Sequence, residues 1–239
     1  VPFTFSHPAI VLPFLKRKYF SATALVVGTM SPDLEYFFRM KIQSEISHTF
    51  LGIFLVDLPL ALIIAFLFHG IIKKPLIENL PLFFQKRLVI LKNFDWNCYF
   101  KNNLLIVFLS FIFGTMTHIF WDSMTHWDGY IVQRVSFFNM QFIGFPIYKI
   151  AQHLSSVVGL LVISVYFLRL TEVKLDRLTI DCNYWLAVLL FTLGILIIRF
   201  LLWDVSNYNK IGNLIVSVIS SVVLATAFAG ILFRNQNKI

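Results

Sequence analysis

His118, Asp122 and His126 follow one another at steps of four in the stretch THIFWDSMTH, 117–126. On a helix four residues advance about 400°, so the three side chains drift by only about 40° per step and form one stripe. His118 and His126 then stand roughly 12 Å apart along the axis. That is too far for both to hold one ion at about 2 Å from each nitrogen. His118 with Asp122 can chelate one metal, and Asp122 with His126 can reach a second beside it. A carboxylate flanked by two imidazoles suits a multi-metal hydrolytic site. The bland alternative is that these groups pair with one another, or with Ser and Thr, to hold helices together.

Further groups of the same chemistry lie elsewhere in the chain. In GTMSPDLEYF, 28–37, Pro32 stops a helix and sets a turn, leaving Asp33 on a constrained backbone. Asp33 is the candidate general base or metal ligand, and Glu35 a candidate second carboxylate. SHP at 6–8 fits a serine cap followed by proline in the first helical turn, which accounts for Ser6 and Pro8 but not for His7. His48 and His153 complete the set. Asp57 lies nine residues after His48, about 180° around a straight helix. It can pair with a neighbouring hydroxyl or with Arg199, and Pro59 can bend the helix there. Arg199 can receive a phosphate bidentately or snorkel to the headgroups. Trp127 and Asp128 cap or anchor the end of the stripe, with Asp128 a reserve ligand; His69 reads as interfacial.

The elements that must position these groups are membrane helices. The 239 residues are 58% hydrophobic and 13% charged, with 27 Phe and a mean hydropathy of +0.79. Soluble domains carry about 25% charged residues. A span needs about 20 apolar residues, and five stretches qualify: 47–72, 103–125, 151–170, 184–203 and 211–233. Residues 8–30 are apolar but broken by Pro8, Pro13 and the KRK at 16–18. They read as two short helices packed against the bundle rather than crossing it. The chain is therefore expected to be all-α, a polytopic membrane bundle of about five helices with a broken N-terminal helical segment. It reads as one integral membrane domain, 1–239, with 1–170 as the site-bearing core and 171–239 as a two-helix scaffold. No basic n-region precedes His7 and Pro8, so the first span is expected to direct insertion itself.

The net charge of +8 invites a nucleic-acid reading. The basic residues are scattered between spans, however, and no basic–aromatic groove appears, so no nucleic-acid partner is expected. Lys73, Lys74, Lys86, Arg87, Lys92 and Lys101 share one loop, which marks the cytoplasmic side; Arg169, Lys174, Arg177, Arg234 and Lys238 then lie on the same side. His7, Asp33, His48, His118, Asp122, His126 and His153 fall together at the opposite end, expected to be the outer face. Cys98 and Cys182 form no CxxC, which excludes a thiolate zinc site of that kind and a disulfide framework.

PFTFSHPAIVLPF, VVGTMSPDLEYFF and ISHTFLGIFLVDLPL, with HIFWDSMTH and QHLSSVVGLL later, resemble an uncharacterised bacterial integral membrane family defined by a domain of unknown function. More distantly, the order of His, Pro-Asp, His, HxxxD and two further histidines is similar to zinc-dependent bacterial phospholipases C and to membrane-bound predicted metal-dependent hydrolases with a PD turn. That similarity implies a cluster of three zinc ions that hydrolyses phosphodiesters of lipid headgroups. Carried over by motif, it implies Asp33, His48, His118 and Asp122 on one ion, His7 joining Asp122 on a second, and His126 with His153 on a third. Two departures stand out: Val157 replaces an acidic ligand a turn after His153, and the spacing from Asp122 to His126 differs.

The reading that follows is a metal-dependent hydrolase in a bacterial plasma membrane, its substrate a lipid or lipid-linked phosphoester and membrane lipids its surroundings. Two or three divalent ions are expected; nitrogen and oxygen ligands favour zinc, with manganese or iron admissible. The rival is a non-enzymatic membrane protein, either a metal or proton transporter or a scaffold whose polar cluster stabilises packing. Transport would require polar groups at both ends, and the far end offers only His69 and Asp57.

Overall fold

Pro8 and Pro13 lack the N–H that an α-helix needs and crowd the preceding turn. In the computed structural model, which describes residues 3–175, 180–202 and 210–234, Thr4–Phe14 accordingly winds as a 3-10 helix. α1 (Ala22–Gly28) follows, with the Ser21 hydroxyl accepting from the Ala24 N–H as its cap. A 3-10 turn, Ser31–Asp33, leads into α2 (Leu34–Arg39). Among the described residues five helices are long and apolar enough to cross a membrane: α3 (Phe50–Asn79), α6 (Leu104–Thr125), α7 (Ile147–Leu168), α8 (Cys182–Leu202) and α9 (Lys210–Leu232, counted from Ile211). The short helices α4 (Leu82–Leu88) and α5 (Trp96–Asn102) lie between α3 and α6. The chain is a helical membrane protein, and its described residues hold five helices able to span, as its hydropathy indicates. Of the basic residues that mark the orientation, Arg177 and Lys238 lie outside the described residues.

Two compact units make up the fold: 1–34, 46–62 and 103–169 in the first, and 35–45, 63–102 and 170–239 in the second. In the first, α1 packs on α6 and the N-terminal 3-10 helix packs on α7. Both contacts are backbone-close because glycine stands at them. A Cβ at Gly28 would lie 2.6 Å from the Phe111 carbonyl oxygen, one at Gly114 2.6 Å from that of Leu25, and one at Gly159 2.8 Å from that of Ser6. Small residues that let helices approach in this way are the usual glue of membrane bundles. Polar groups then bond across the seam. The Ser110 hydroxyl accepts from the Ser21 N–H at 2.9 Å, Ser31 and Thr115 share a hydroxyl–hydroxyl bond of 2.8 Å, and Ser156 accepts from the Phe3 N–H at 3.0 Å. Between α6 and α7 a small hairpin pairs β1 (Gln141–Phe142) with β2 (Phe145–Pro146). Ile143 and Gly144 both take positive φ at its two-residue turn, as a type I′ turn requires.

The second unit has its core where Tyr184 and Val188 of α8 meet Ala225 and Ala229 of α9. Segment 35–45 is held there by polar bonds. The Met40 carbonyl accepts from Ser217 Oγ at 3.1 Å and from Arg199 Nη2 at 3.2 Å, Ser220 Oγ donates to the Phe37 carbonyl at 2.8 Å, and Asn213 Oδ1 accepts from the Ile42 N–H at 2.8 Å. Cys98 and Cys182 are free thiols.

Candidate metal centre

Four elements of the first unit deliver the site. Thr49 caps α3, its hydroxyl accepting from the Gly52 N–H at 2.9 Å, and His48 sits just before it with φ of +70°. A non-glycine residue is costly in that region and persists only when its surroundings hold it there; such strain gathers at functional sites. Asp33 ends the 3-10 turn built on Pro32, His118 and Asp122 stand one turn apart on α6, and His7 comes from the N-terminal 3-10 helix.

Asp33, His48, His118 and Asp122 come together so that one ligand atom from each lies within 4.8 Å of all the others. His118 Nε2 is 3.2 Å from Asp122 Oδ2 and 3.7 Å from Asp33 Oδ1; His48 Nε2 is 3.7 Å from each of those two oxygens. Most of these separations are long for hydrogen bonds, whose N···O distance is about 2.7–3.2 Å. They approach the edges of a tetrahedron around an ion with ligands at about 2.0–2.1 Å, which are roughly 3.3 Å. The buried Asp/His cluster can therefore hold a metal ion.

The bonds behind these atoms point the same way. The backbone carbonyl of Thr29 lies 2.7 Å from His118 Nδ1. A carbonyl only accepts, so Nδ1 carries the proton, and in the neutral ring Nε2 presents its lone pair to the cluster. Thr4 Oγ1 donates to Asp33 Oδ2 at 2.5 Å, which occupies one carboxylate oxygen and leaves the other facing the histidines. Asp33 Oδ1, His118 Nε2, Asp122 Oδ1 and His7 Nε2 are all buried without a hydrogen-bond partner. Buried polar atoms without partners are rare and expensive. Asp33 Oδ1 and His118 Nε2 lie beside Asp122 Oδ2, and His7 Nε2 lies beside Asp122 Oδ1; cations held by Asp122 would satisfy both pairs.

His7 stacks on His118, with ring centroids 3.8 Å apart and planes at 17°. Its Nε2 lies 3.6 Å from Asp122 Oδ1, on the opposite oxygen from His118, His48 and His126. Burial, aided by the neighbouring His118, lowers the His7 pKa to about 3, so this imidazole is neutral and free to donate a lone pair. Burial also lowers the pKa of His126, whose Nδ1 is 3.5 Å from Asp122 Oδ2. The side chains of His48 and His126 keep 25% and 21% of their surface exposed, against none for Asp33 and His118. The cluster is therefore open on the side of His48 and His126.

Not every residue singled out in the sequence joins this group. His153 is exposed on α7, as is Val157. Glu35 belongs to the second unit, where it accepts from Arg39 Nε at 2.9 Å and Ser44 Oγ at 2.9 Å. Arg199, also in the second unit, is buried with its guanidinium on the Met40 carbonyl. Asp57 is fully buried in the first unit, at the end of a π-helical turn, Ile53–Asp57, within α3. His69 lies in the second unit. Sequence reasoning overlooked Thr4 and the Thr29 carbonyl, the two groups that orient Asp33 and His118. A threonine three residues ahead of a candidate histidine carried no signal by itself.

No curated protein and no solved structure matches this chain. A family model described as "Domain of unknown function (DUF4184)" matches residues 1–231, nearly the whole chain, and the protein belongs to that family.

Proposed function

We propose that the cluster is the centre of a metal-dependent hydrolase acting on a phosphoester of a lipid or lipid-linked molecule. The observation that carries this reading is the convergence of Asp33, His48, His118 and Asp122 on one point, with Asp33 Oδ1 and His118 Nε2 buried there without a hydrogen-bond partner. Asp33, His48, His118 and Asp122 would hold one divalent ion, most simply zinc, with manganese or iron also compatible with these donors. His7 on the far oxygen of Asp122 supports a second. The third ion implied by the phospholipase similarity would need His126 and His153 together, and an exposed His153 gives it little support. The chemistry such ions supply is Lewis acidity towards a phosphoryl oxygen and a lowered pKa for water.

Of the two roles open to Asp33, the geometry supports that of ligand. One of its oxygens is taken by Thr4 and the residue is fully buried, so a single oxygen remains and it faces the histidines. His126 is better suited to take a proton: it is at the exposed side of the cluster, and burial favours its neutral form. Asp122, negative and central, offsets cationic charge. The basic residues of 73–102 support a cytoplasmic position for that segment, and hence an outer-face site in a bacterial plasma membrane. A substrate with a polar head and an apolar tail suits a site at the end of membrane helices.

The test is turnover of a chromogenic phosphodiester and of a short-chain phospholipid by metal-replete protein. His126→Gln should keep the metal and lose about 10²–10⁴-fold in rate, whereas Asp33→Asn should lose metal and rate together. If metal-replete wild type cleaves neither substrate, the hydrolase reading fails and a structural metal site remains.

A further inference from the structure

The second unit holds a pocket of about 230 Å³ at the polar end of α3, walled by His69, Lys73, Lys74, Lys92, Trp96 and Arg234. Four of these six carry full positive charge, and Asp95 is the one carboxylate on the wall. That carboxylate is engaged as a cap, with Oδ1 accepting from the Cys98 N–H at 3.0 Å. Lys92 is paired with Glu78 at 2.7 Å. Asp95 also offsets part of the Lys73 charge; Lys74 and Arg234 have no ion pair among the described residues, so the pocket carries a surplus of positive charge.

Two of the donors are buried, which separates this pocket from an ordinary basic surface. Lys73 is 3% exposed. Its ammonium donates to the Phe94 carbonyl at 2.6 Å and lies 5.6 Å from that ring, leaving further N–H donors. Trp96 is 2% exposed, and its indole N–H is buried with no hydrogen-bond partner. The Trp96 ring is held by a stack on His69, with centroids 5.1 Å apart and planes at 8°. A buried ammonium and a buried unpaired N–H are each expensive unless an acceptor meets them. Lining one pocket, they call for an anion.

We propose that this pocket binds a phosphate-bearing anion, with Lys73 and the Trp96 N–H as its buried donors and Lys74 and Arg234 at its rim. Lysine and arginine together are the usual partners of phosphate oxygens. The positive surplus fits a phosphate of charge near −2 better than a monoanionic carboxylate. The anion comes either from a lipid headgroup, since α3 passes here from apolar to basic sequence, or from free phosphate. The site is independent of the metal centre.

The full chain in phosphatidylcholine nanodiscs is titrated with inorganic phosphate and, separately, with soluble short-chain phosphatidate, read by calorimetry. Binding of phosphate identifies the free anion. Binding of phosphatidate alone identifies the headgroup. Trp96→Phe keeps the ring stack and removes the N–H, and should weaken binding about ten- to a hundredfold. Lys74→Gln should weaken it less, and Arg134→Gln, in a loop of the first unit, not at all. The proposal is overturned if neither probe binds, or if both bind Trp96→Phe and Lys74→Gln as tightly as wild type.

Discussion

Replacing Thr4 with valine removes one hydroxyl and little else, since the two side chains are nearly isosteric. In the native protein that hydroxyl donates to Asp33 Oδ2 at 2.5 Å, with Asp33 fully buried. In Thr4→Val the oxygen keeps its burial and loses this donor. Hydrogen bonds to charged groups contribute about 1.5–3 kcal/mol. Loss of a partner that orients a metal ligand costs about 10–100-fold in affinity, which is about 1.4–2.7 kcal/mol and so agrees with the first figure. The expected outcome is therefore metal affinity lower by about 10–100-fold, measured by competition with a chromophoric chelator, while Thr4→Ser stays near wild type. The same variant should melt lower in the metal-loaded state than in chelator-treated protein, relative to wild type in each state. Unchanged affinity in Thr4→Val, or an equal loss of stability with and without metal, would refute the claim that Thr4 aims Asp33 at an ion.

Gly114→Ala places a methyl 2.6 Å from the Leu25 carbonyl oxygen and should destabilise the protein by about 1–3 kcal/mol as α1 is pushed from α6; Gly194→Ala, where a methyl meets nothing within 4 Å, should be neutral or slightly stabilising, both read by thermal unfolding in detergent. Cysteine labelling in intact cells should reach a probe in 127–149 and miss one in 76–97. The reverse pattern would turn the site to the cytoplasm, and labelling of both loops from one side would contradict five spans.

The spans were legible because a bilayer demands long apolar stretches, and the HxxxD pair because one helical turn fixes which side chains neighbour each other. Asp33 was visible through the proline that holds its turn. What escaped notice depends on contacts between segments distant in sequence. Thr4 reaches Asp33 across 29 residues, and the carbonyl that sets the His118 tautomer lies 89 residues away on Thr29. The apolar stretch 47–72 includes His48, but Thr49 caps the helix there and His48 lies outside it with a left-handed backbone. Its direction therefore owes nothing to helical periodicity. The estimate that Asp57 lies opposite His48 assumed a straight α-helix; α3 begins at Phe50 and includes a π-helical turn ending at Asp57, so the estimate does not apply. Which face of α7 packs is not set by spacing within it: the N-terminal 3-10 helix covers the face seated by Gly159, and His153 lies exposed.

Metal content decides whether the His/Asp cluster is a metal centre. Protein purified in detergent without added metal, then assayed by elemental mass spectrometry alongside Asp122→Asn and His69→Ala, should contain about two equivalents of transition metal per chain. Asp122→Asn should lose both metal and thermal stability, because the amide keeps the shape of the carboxylate without its charge, and metal binding energy is also folding energy. His69→Ala, in the other unit, should keep the metal. Wild-type protein free of metal, with a melting temperature unmoved by chelator, would contradict the account and leave the His/Asp cluster as interhelical packing.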